Sequence, residues 1–329
     1  MEQFWKDVGI AFVMGFLVPA VLLGAIASVA GNRVEVECLT EPIIVPDSTV
    51  QQASVDSKLT VSIQNKDGKI AHLGLNDYLT GVVLAEMPVS FEDEALKAQA
   101  VVARTYTIRA LNGASKHENA DVCADATCCQ GYKDVEHYLQ EGGLWENVQR
   151  IYHLICDTDG LILTYEGDLI EATYFSCSGG ITEDAVAVWG ADVPYLQSVP
   201  SPGEEDAAHY TDTVIYTVDE FETRLGVELN GSAEKWVSET VYTNGNGVAS
   251  MAIGGISFEG TQLRKLLDLR STAFTIDATK NLITIQTRGY GHRVGMSQYG
   301  ADAMAVAGRT YTEILSYYYK GTELVKYIH

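Results

Sequence analysis

A glutamate and a group of cysteines are the residues of this chain whose types and spacing could do chemistry. Glu86 lies seven residues after Leu79 and three after Val83, on one face of a helical period, immediately before Met87-Pro88. A carboxyl group that points where apolar side chains point loses hydration of its charged form. Its pKa rises, and it can give up a proton near neutral pH. Cleavage of a glycosidic bond needs such an acid to protonate the leaving oxygen, and hydrolases normally add a second carboxylate. A lytic transglycosylase manages with one, because the sugar's own C6 hydroxyl replaces water. The carboxylate first gives a proton and then takes one, leaving a 1,6-anhydro end. The plainer alternative is a helix-end carboxylate paired with Lys97 or Arg104.

His117, Cys123 and Cys129 are each separated by five intervening residues, with Cys128 adjacent to Cys129. Imidazole plus thiolates is a ligand set that zinc prefers, and one structural Zn2+ would clamp a loop at about 113–133, with Cys128 or water as fourth ligand. The rival is oxidation, for example of Cys123 with Cys129. Cys38 sits in a tether, and Cys156 and Cys177 fall on segments predicted to be strands, as buried thiols or a bridge. The stretch Gly291 to Ala301 sets His292, Ser297, Gln298 and Tyr299 among glycines. It could hydrogen-bond sugar hydroxyls and pack an aromatic ring on a pyranose face, or its glycines could simply shape a turn. Ser178 beside His292 is a weak nucleophile candidate, since Ser-Gly-Gly lacks the elbow signature.

These groups need elements to hold them. Leu59 to Ile63 alternates as a strand, Asn65 to Gly68 reads as a turn, and Ile70 to Leu73 closes a hairpin. Asn76 or Asp77 can cap the helix leading to Glu86, and Ser90 with Asp93 can start a second one ending near Leu111, so the catalytic helices span about 76–111. Strands are predicted at Leu161 to Tyr165, Ala172 to Phe175 and Leu282 to Gln286, and helices at Gln262 to Leu267 and Tyr311 to Tyr319. The expected fold is α+β, mixed strands with a helical catalytic insertion, preceded by a single N-terminal transmembrane helix.

That last element rests on Val8 to Gly31, which carries no charge and is long enough to cross a bilayer. A cleaved signal peptide is the rival, since Ala25-Ile26-Ala27 and Ser28-Val29-Ala30 resemble cleavage sites. The expected order is an anchor at 8–31, a tether at 32–58 and an extracytoplasmic domain at 59–329. A net charge of -22 over 329 residues excludes nucleic acid as a partner.

Leu75 to Pro88 and Glu94 to Tyr106 closely resemble stage II sporulation protein D, a group that includes the amidase enhancer domain. Similar stretches follow at Tyr174 to Gly180 with Thr182-Glu183, at Trp189-Gly190, at Gly291 to Ala301 and at Ile314 to Gly321. The resemblance implies a membrane-anchored lytic transglycosylase of endospore formation. It would act on peptidoglycan glycan strands stripped of stem peptides, beside a cell-wall amidase and a membrane protein of the engulfment machinery. It also implies that Glu86 is the catalytic glutamate, and some members carry a comparable zinc motif. Arg104, with Tyr106 near it, could hold the lactyl carboxylate freed on muramic acid; an ion pair on the helix is the alternative. A non-catalytic module that binds glycan and stimulates an amidase shares the same fold and ligand.

Overall fold

Apolar residues at Leu75, Tyr78, Leu79, Val82 and Val83 repeat at intervals of three and four, and all are fully buried in the helix they build, α1 (Leu75–Glu86). In the computed structural model, which describes residues 54–328, this helix follows the expected hairpin of β1 (Thr60–Gln64) and β2 (Ile70–Gly74). The backbone of Gly74, not a side chain of Asn76 or Asp77, occupies the N-cap. Pro88 disfavours helix at the residue before it, and Met87 is extended, so Glu86 is the last helical residue.

The second helix, α2 (Asp93–Arg109), buries twelve of its seventeen residues. A helix buried on every side is an axis, and α2 packs against α1, α4 (Trp145–Asp157), β4 (Leu161–Tyr165), α8 (Gln298–Val306) and α9 (Tyr311–Tyr318). Small side chains such as Ala98, Ala100 and Ala103 permit that close approach. Between α2 and α4 lie β3 (Val122–Cys123), parallel to β1, and the short α3 (Val135–Gln140). After β4 come β5 (Asp168–Leu169), β6 (Tyr174–Phe175) and α5 (Ala185–Trp189).

The chain then builds a second lobe with its own apolar core around Phe221, Met251, Leu263 and Ile285. It comprises β7 (Thr211–Thr217), α6 (Val218–Leu225), β8 (Val237–Tyr242), β9 (Val248–Ile253), β10 (Ile256–Glu259), α7 (Gly260–Leu266), β11 (Phe274–Ala278) and β12 (Leu282–Arg288). Two three-stranded sheets result, ordered β10-β9-β8 and β11-β12-β7. The chain returns beside its point of departure: Gly289 N–H donates to the Tyr210 carbonyl at 2.9 Å, and Tyr290 pairs with Cys177. β13 (Met296–Ser297) pairs with β6, and β14 (Glu323–Lys326) with β4.

The expected fold class is corrected on two points. The catalytic helices are not an insertion into a strand framework, because α2 is the axis of the larger core and helices and strands interleave as a mixed α/β chain. No helix among the described residues is long and apolar enough to cross a membrane. Residues 8–31, on which the transmembrane expectation rests, lie outside the described residues. Cys156 lies on α4, an amphipathic helix rather than the predicted strand.

Arg104 is fully buried on α2 and forms an ion pair with Asp56 at 2.8 Å. Its remaining donors reach the Ile155 and Leu161 carbonyls and Thr158 Oγ1. Asp56 also accepts from Gly160 N–H at 3.1 Å, and Asp159 accepts from the Val55 and Asp56 amides, so ordered packing begins ahead of Leu59. Burial pushes the Asp56 carboxyl up against the pull of Arg104. Removing one partner would strand a charge in the interior. Asp56→Ala is expected to cost roughly 3–5 kcal/mol in a denaturant unfolding curve; a loss near that of an exposed pair would contradict this role for the ion pair.

Candidate functional site

The end of α1 delivers Glu86 between three segments: the turn at residues 128–131, β6, and the start of α8. Gly131 N–H donates to Glu86 Oε1 at 2.5 Å, and Gln298 Nε2 donates to Oε2 at 3.4 Å. The Tyr174 hydroxyl is a third partner, its single proton shared between the Glu86 carboxylate and Gln130 Oε1, 3.3 Å away. Gln130 in turn donates to Tyr78 Oη and Thr107 Oγ1, which ties the group to α1 and α2. Burial raises the Glu86 pKa, and the hydrogen bonds from Gly131, Tyr174 and Gln298 offset only part of that rise. Burial and the neighbouring Glu86 carboxylate together hold Tyr174 well above the ordinary phenol value.

Close approach fixes the position of the turn. Lys133 N–H donates to the Gly81 carbonyl of α1 at 3.0 Å, and a Cβ on Gly81 would meet the Tyr132 ring at 2.3 Å. Tyr132 stacks on Tyr78, with ring centroids 5.7 Å apart. Gly131 is thereby laid across the end of α1, with its amide facing the carboxylate.

The same turn carries two of the cluster's cysteines, Cys128 and Cys129. His117, Cys123, Cys128 and Cys129 present ligand atoms that all lie within 4.8 Å of one another, a cluster that could hold a metal ion. His117 Nε2 is 3.3 Å from Cys129 Sγ and 3.7 Å from Cys128 Sγ, and the two sulfurs are 4.0 Å apart. Zinc–sulfur bonds of about 2.3 Å in a tetrahedron imply ligand separations of about 3.8 Å, so the donor set fits. Burial would raise the Cys129 thiol pKa, but hydrogen bonds from Tyr106, His117 and Cys123 bring it down to about 7. All five described cysteines are free thiols, including Cys123 and Cys129.

Of the other residues singled out in the sequence, Gln298 joins Glu86 directly and Tyr299 packs edge-on against Phe91. Ser297 caps α8 by accepting from Gly300 N–H. His292 accepts from Val294 N–H at Nδ1, bonds the Tyr174 main chain, and sits between Phe175 and Trp189 at 5.7 and 5.4 Å. Burial and the nearby Arg264 lower its pKa to about 4, so it is neutral at pH 7. Three residues are placed elsewhere. Arg104 is closed inside the ion pair with Asp56 described above, and Tyr106 serves Cys129. Ser178 is buried against Glu204 at 2.9 Å, a carboxylate that also accepts from Ser178 N–H and Gly179 N–H.

Gly131, Gln130 and the tyrosine hydroxyl of residue 174 are the partners that sequence reasoning missed. Tyr174 stands in a stretch already noted for its resemblance, and Gly131 follows the cysteine pair by two residues, but nothing in the sequence connects either to Glu86.

Comparison with known proteins bears on this site. A family described as stage II sporulation protein matches residues 64–165, which include Glu86 and all four members of the cysteine and histidine cluster. Stage II sporulation protein D of Bacillus amyloliquefaciens is 39% identical over 275 residues, covering 82% of this chain and 79% of that protein. The protein of the same name from Bacillus subtilis (strain 168) is 36% identical over 335 residues, covering 98% and 96%. The chain belongs to the stage II sporulation protein D family. It is thus a sporulation protein, and membership is consistent with a cell-wall-modifying enzyme. The amidase enhancer of Bacillus subtilis (strain 168) is also similar, 29% identical over 306 residues, but this chain covers only 40% of that longer protein.

A Cβ on Gly131 would lie 2.8 Å from Glu86 Oε1 and 3.3 Å from its Cδ. The crowded atoms are the far end of a flexible side chain, so Gly131→Ala is expected to fold normally while displacing the carboxylate. Loss of the amide bond, which lowers the Glu86 pKa, then moves its titration upward in an NMR pH series. An unchanged titration would show that the amide does not set this group.

Proposed function

We propose that this family member is a lytic transglycosylase that cuts peptide-stripped glycan strands of peptidoglycan outside the cytoplasmic membrane, with residues 59–329 as the working domain. The observation that carries this reading is Glu86 itself: a carboxyl group of raised pKa whose hydrogen-bond partners are an amide, a phenol and a carboxamide, with no second carboxylate among them. Protonated Glu86 gives its proton to the glycosidic oxygen as the bond from that oxygen to C1 breaks. The carboxylate left behind is stabilised by Gly131 N–H and the Gln298 amide. It then takes the proton of the C6 hydroxyl while O6 bonds to C1, closing the 1,6-anhydro ring and restoring the acid. Trp189, 46% exposed and packed on His292, offers an aromatic face for a pyranose ring. Lactyl carboxylate recognition is not assigned to Arg104, whose donors are all spent inside the protein.

The amidase enhancer relative favours a second reading, in which the domain only holds strands and stimulates an amidase. A cell-wall amidase and an engulfment membrane protein remain the partners inferred. Mass spectrometry of peptide-free strands incubated with wild type and Glu86→Gln separates the two readings. Anhydro-ended fragments from wild type alone support the transglycosylase; intact strands from both leave the binding module; reducing ends mean hydrolysis. Because the raised group must be protonated in the free enzyme, kcat/KM is expected to fall as pH rises through the Glu86 pKa, and this limb disappears in Glu86→Gln.

We further infer that the ion of the His117, Cys123, Cys128 and Cys129 cluster is a structural zinc that orders the loop at 113–133. Bound zinc would supply cross-linking here, while its ligands keep the turn bearing Gly131 in place. Cys129→Ser or His117→Ala is expected to lower zinc content and melting temperature together; full zinc occupancy in either variant would remove this assignment.

A further inference from the structure

A groove of about 640 Å³ lies along the outer face of the β11-β12-β7 sheet, where the second lobe meets the loops at Gly179 and Arg293. Its floor is a cross-strand row in which Thr275 faces Gln286 and Gln286 faces Thr213. All three side chains point away from the lobe's core, at the strand spacing of about 4.8 Å. Tyr242, 54% exposed, stands at the edge, and Asn246 adds an amide.

The charges in this groove are unusual for a chain of net charge -22. Arg288 is exposed and makes no ion pair among the described residues, since the nearby Asp212 is held by Arg270 at 3.4 Å. Arg293 also lines the groove and is buried, with its Nε and Nη2 donating to the Ser178, Ile181 and Gly245 carbonyls. Its Nη1 has no hydrogen-bond partner and lies 3.9 Å from Glu183 Oε2. Arg293 is thereby fixed against Glu183 within the wall, and Arg288 is the guanidinium that an anionic ligand can reach for a charge-assisted hydrogen bond.

We propose that this groove is a second glycan-binding site that selects carboxylate-bearing sugars. The hydroxyls of the strand meet the Thr275, Gln286 and Thr213 row, a ring packs on Tyr242, and a lactyl carboxylate on muramic acid reaches Arg288. This rests on the substrate reading above and adds the recognition of stripped strands that buried Arg104 does not provide. Arg293 and Gln298 are five residues apart, so their backbones are no more than about 18 Å apart. A strand held in the groove is therefore near enough to extend toward Glu86.

The test is fluorescence anisotropy of labelled, peptide-free muramic-acid-containing oligomers on the full chain carrying Glu86→Gln, which leaves strands uncut. Arg288→Gln in that background is expected to weaken binding about tenfold or more, the loss of one charge-assisted contact. Chitin oligomers, which have the same sugar backbone without carboxylates, are expected to bind weakly and ignore the substitution. Arg288 is exposed, so its variant keeps the melting temperature of the parent. Unchanged affinity in Arg288→Gln, equal affinity for chitin oligomers, or preference for a poly(glycerol phosphate) would each overturn the proposal. Arg288-dependent binding without cleavage by wild type would remove the transglycosylase reading and leave the groove; cleavage with Arg288-independent binding would do the reverse.

Discussion

The structure depends on a buried charge. Arg104 sits inside a helix that is enclosed on every side, where an unpaired guanidinium would be severely destabilising. Satisfying it brings together Asp56, the end of α4 at Ile155 and Thr158, and the beginning of β4 at Leu161. Two segments distant in sequence, at Asp56 and at residues 155–161, are thereby locked around α2. Since α1 packs against both α2 and α4, the direction of α1 and the location of its last residue follow from that arrangement.

Glu86 is a consequence of this geometry as much as of its own chemistry. Desolvation raises its pKa because the helix end is closed over by β6, α8 and the 128–131 turn, not because of any nearby negative charge. One segment supplies both two members of the histidine and cysteine cluster, Cys128 and Cys129, and the amide of Gly131 that holds the carboxylate. Order in the cluster and order at the acid are therefore mechanically linked through residues 128–131.

The second lobe is a separate hydrophobic unit joined to the first through polar contacts. Glu183 accepts from Thr243 Oγ1 and Gly245 N–H, and Arg293 donates to the Gly245 carbonyl. The loop at Gly291 to Ala301 serves both sides: Arg293 secures the lobe, His292 supports Trp189, and Gln298 reaches the glutamate. Glycines there give the backbone its left-handed turns, as at Gly291 and Gly295, where a Cβ would strike Phe175 and Thr173.

Local patterns in the sequence determined much of this protein. The apolar spacing from Leu75 to Val83 determined α1 and which way Glu86 faces, alternation determined the β1-β2 hairpin, and the spacing of His117 with Cys123, Cys128 and Cys129 determined a four-residue ligand cluster. Each signal lies within a few turns or one loop, where period and spacing translate directly into position. Tertiary structure alone decided that Arg104 pairs inward with Asp56, that Ser178 is buried on Glu204, and that Gly131, Tyr174 and Gln298 converge on one carboxylate. It also decided that α2 is the core axis and that residues 211–288 form a lobe of their own. Those outcomes depend on contacts between residues tens to hundreds of positions apart, and side-chain type alone does not say whether a charge will meet solvent, substrate or a buried partner.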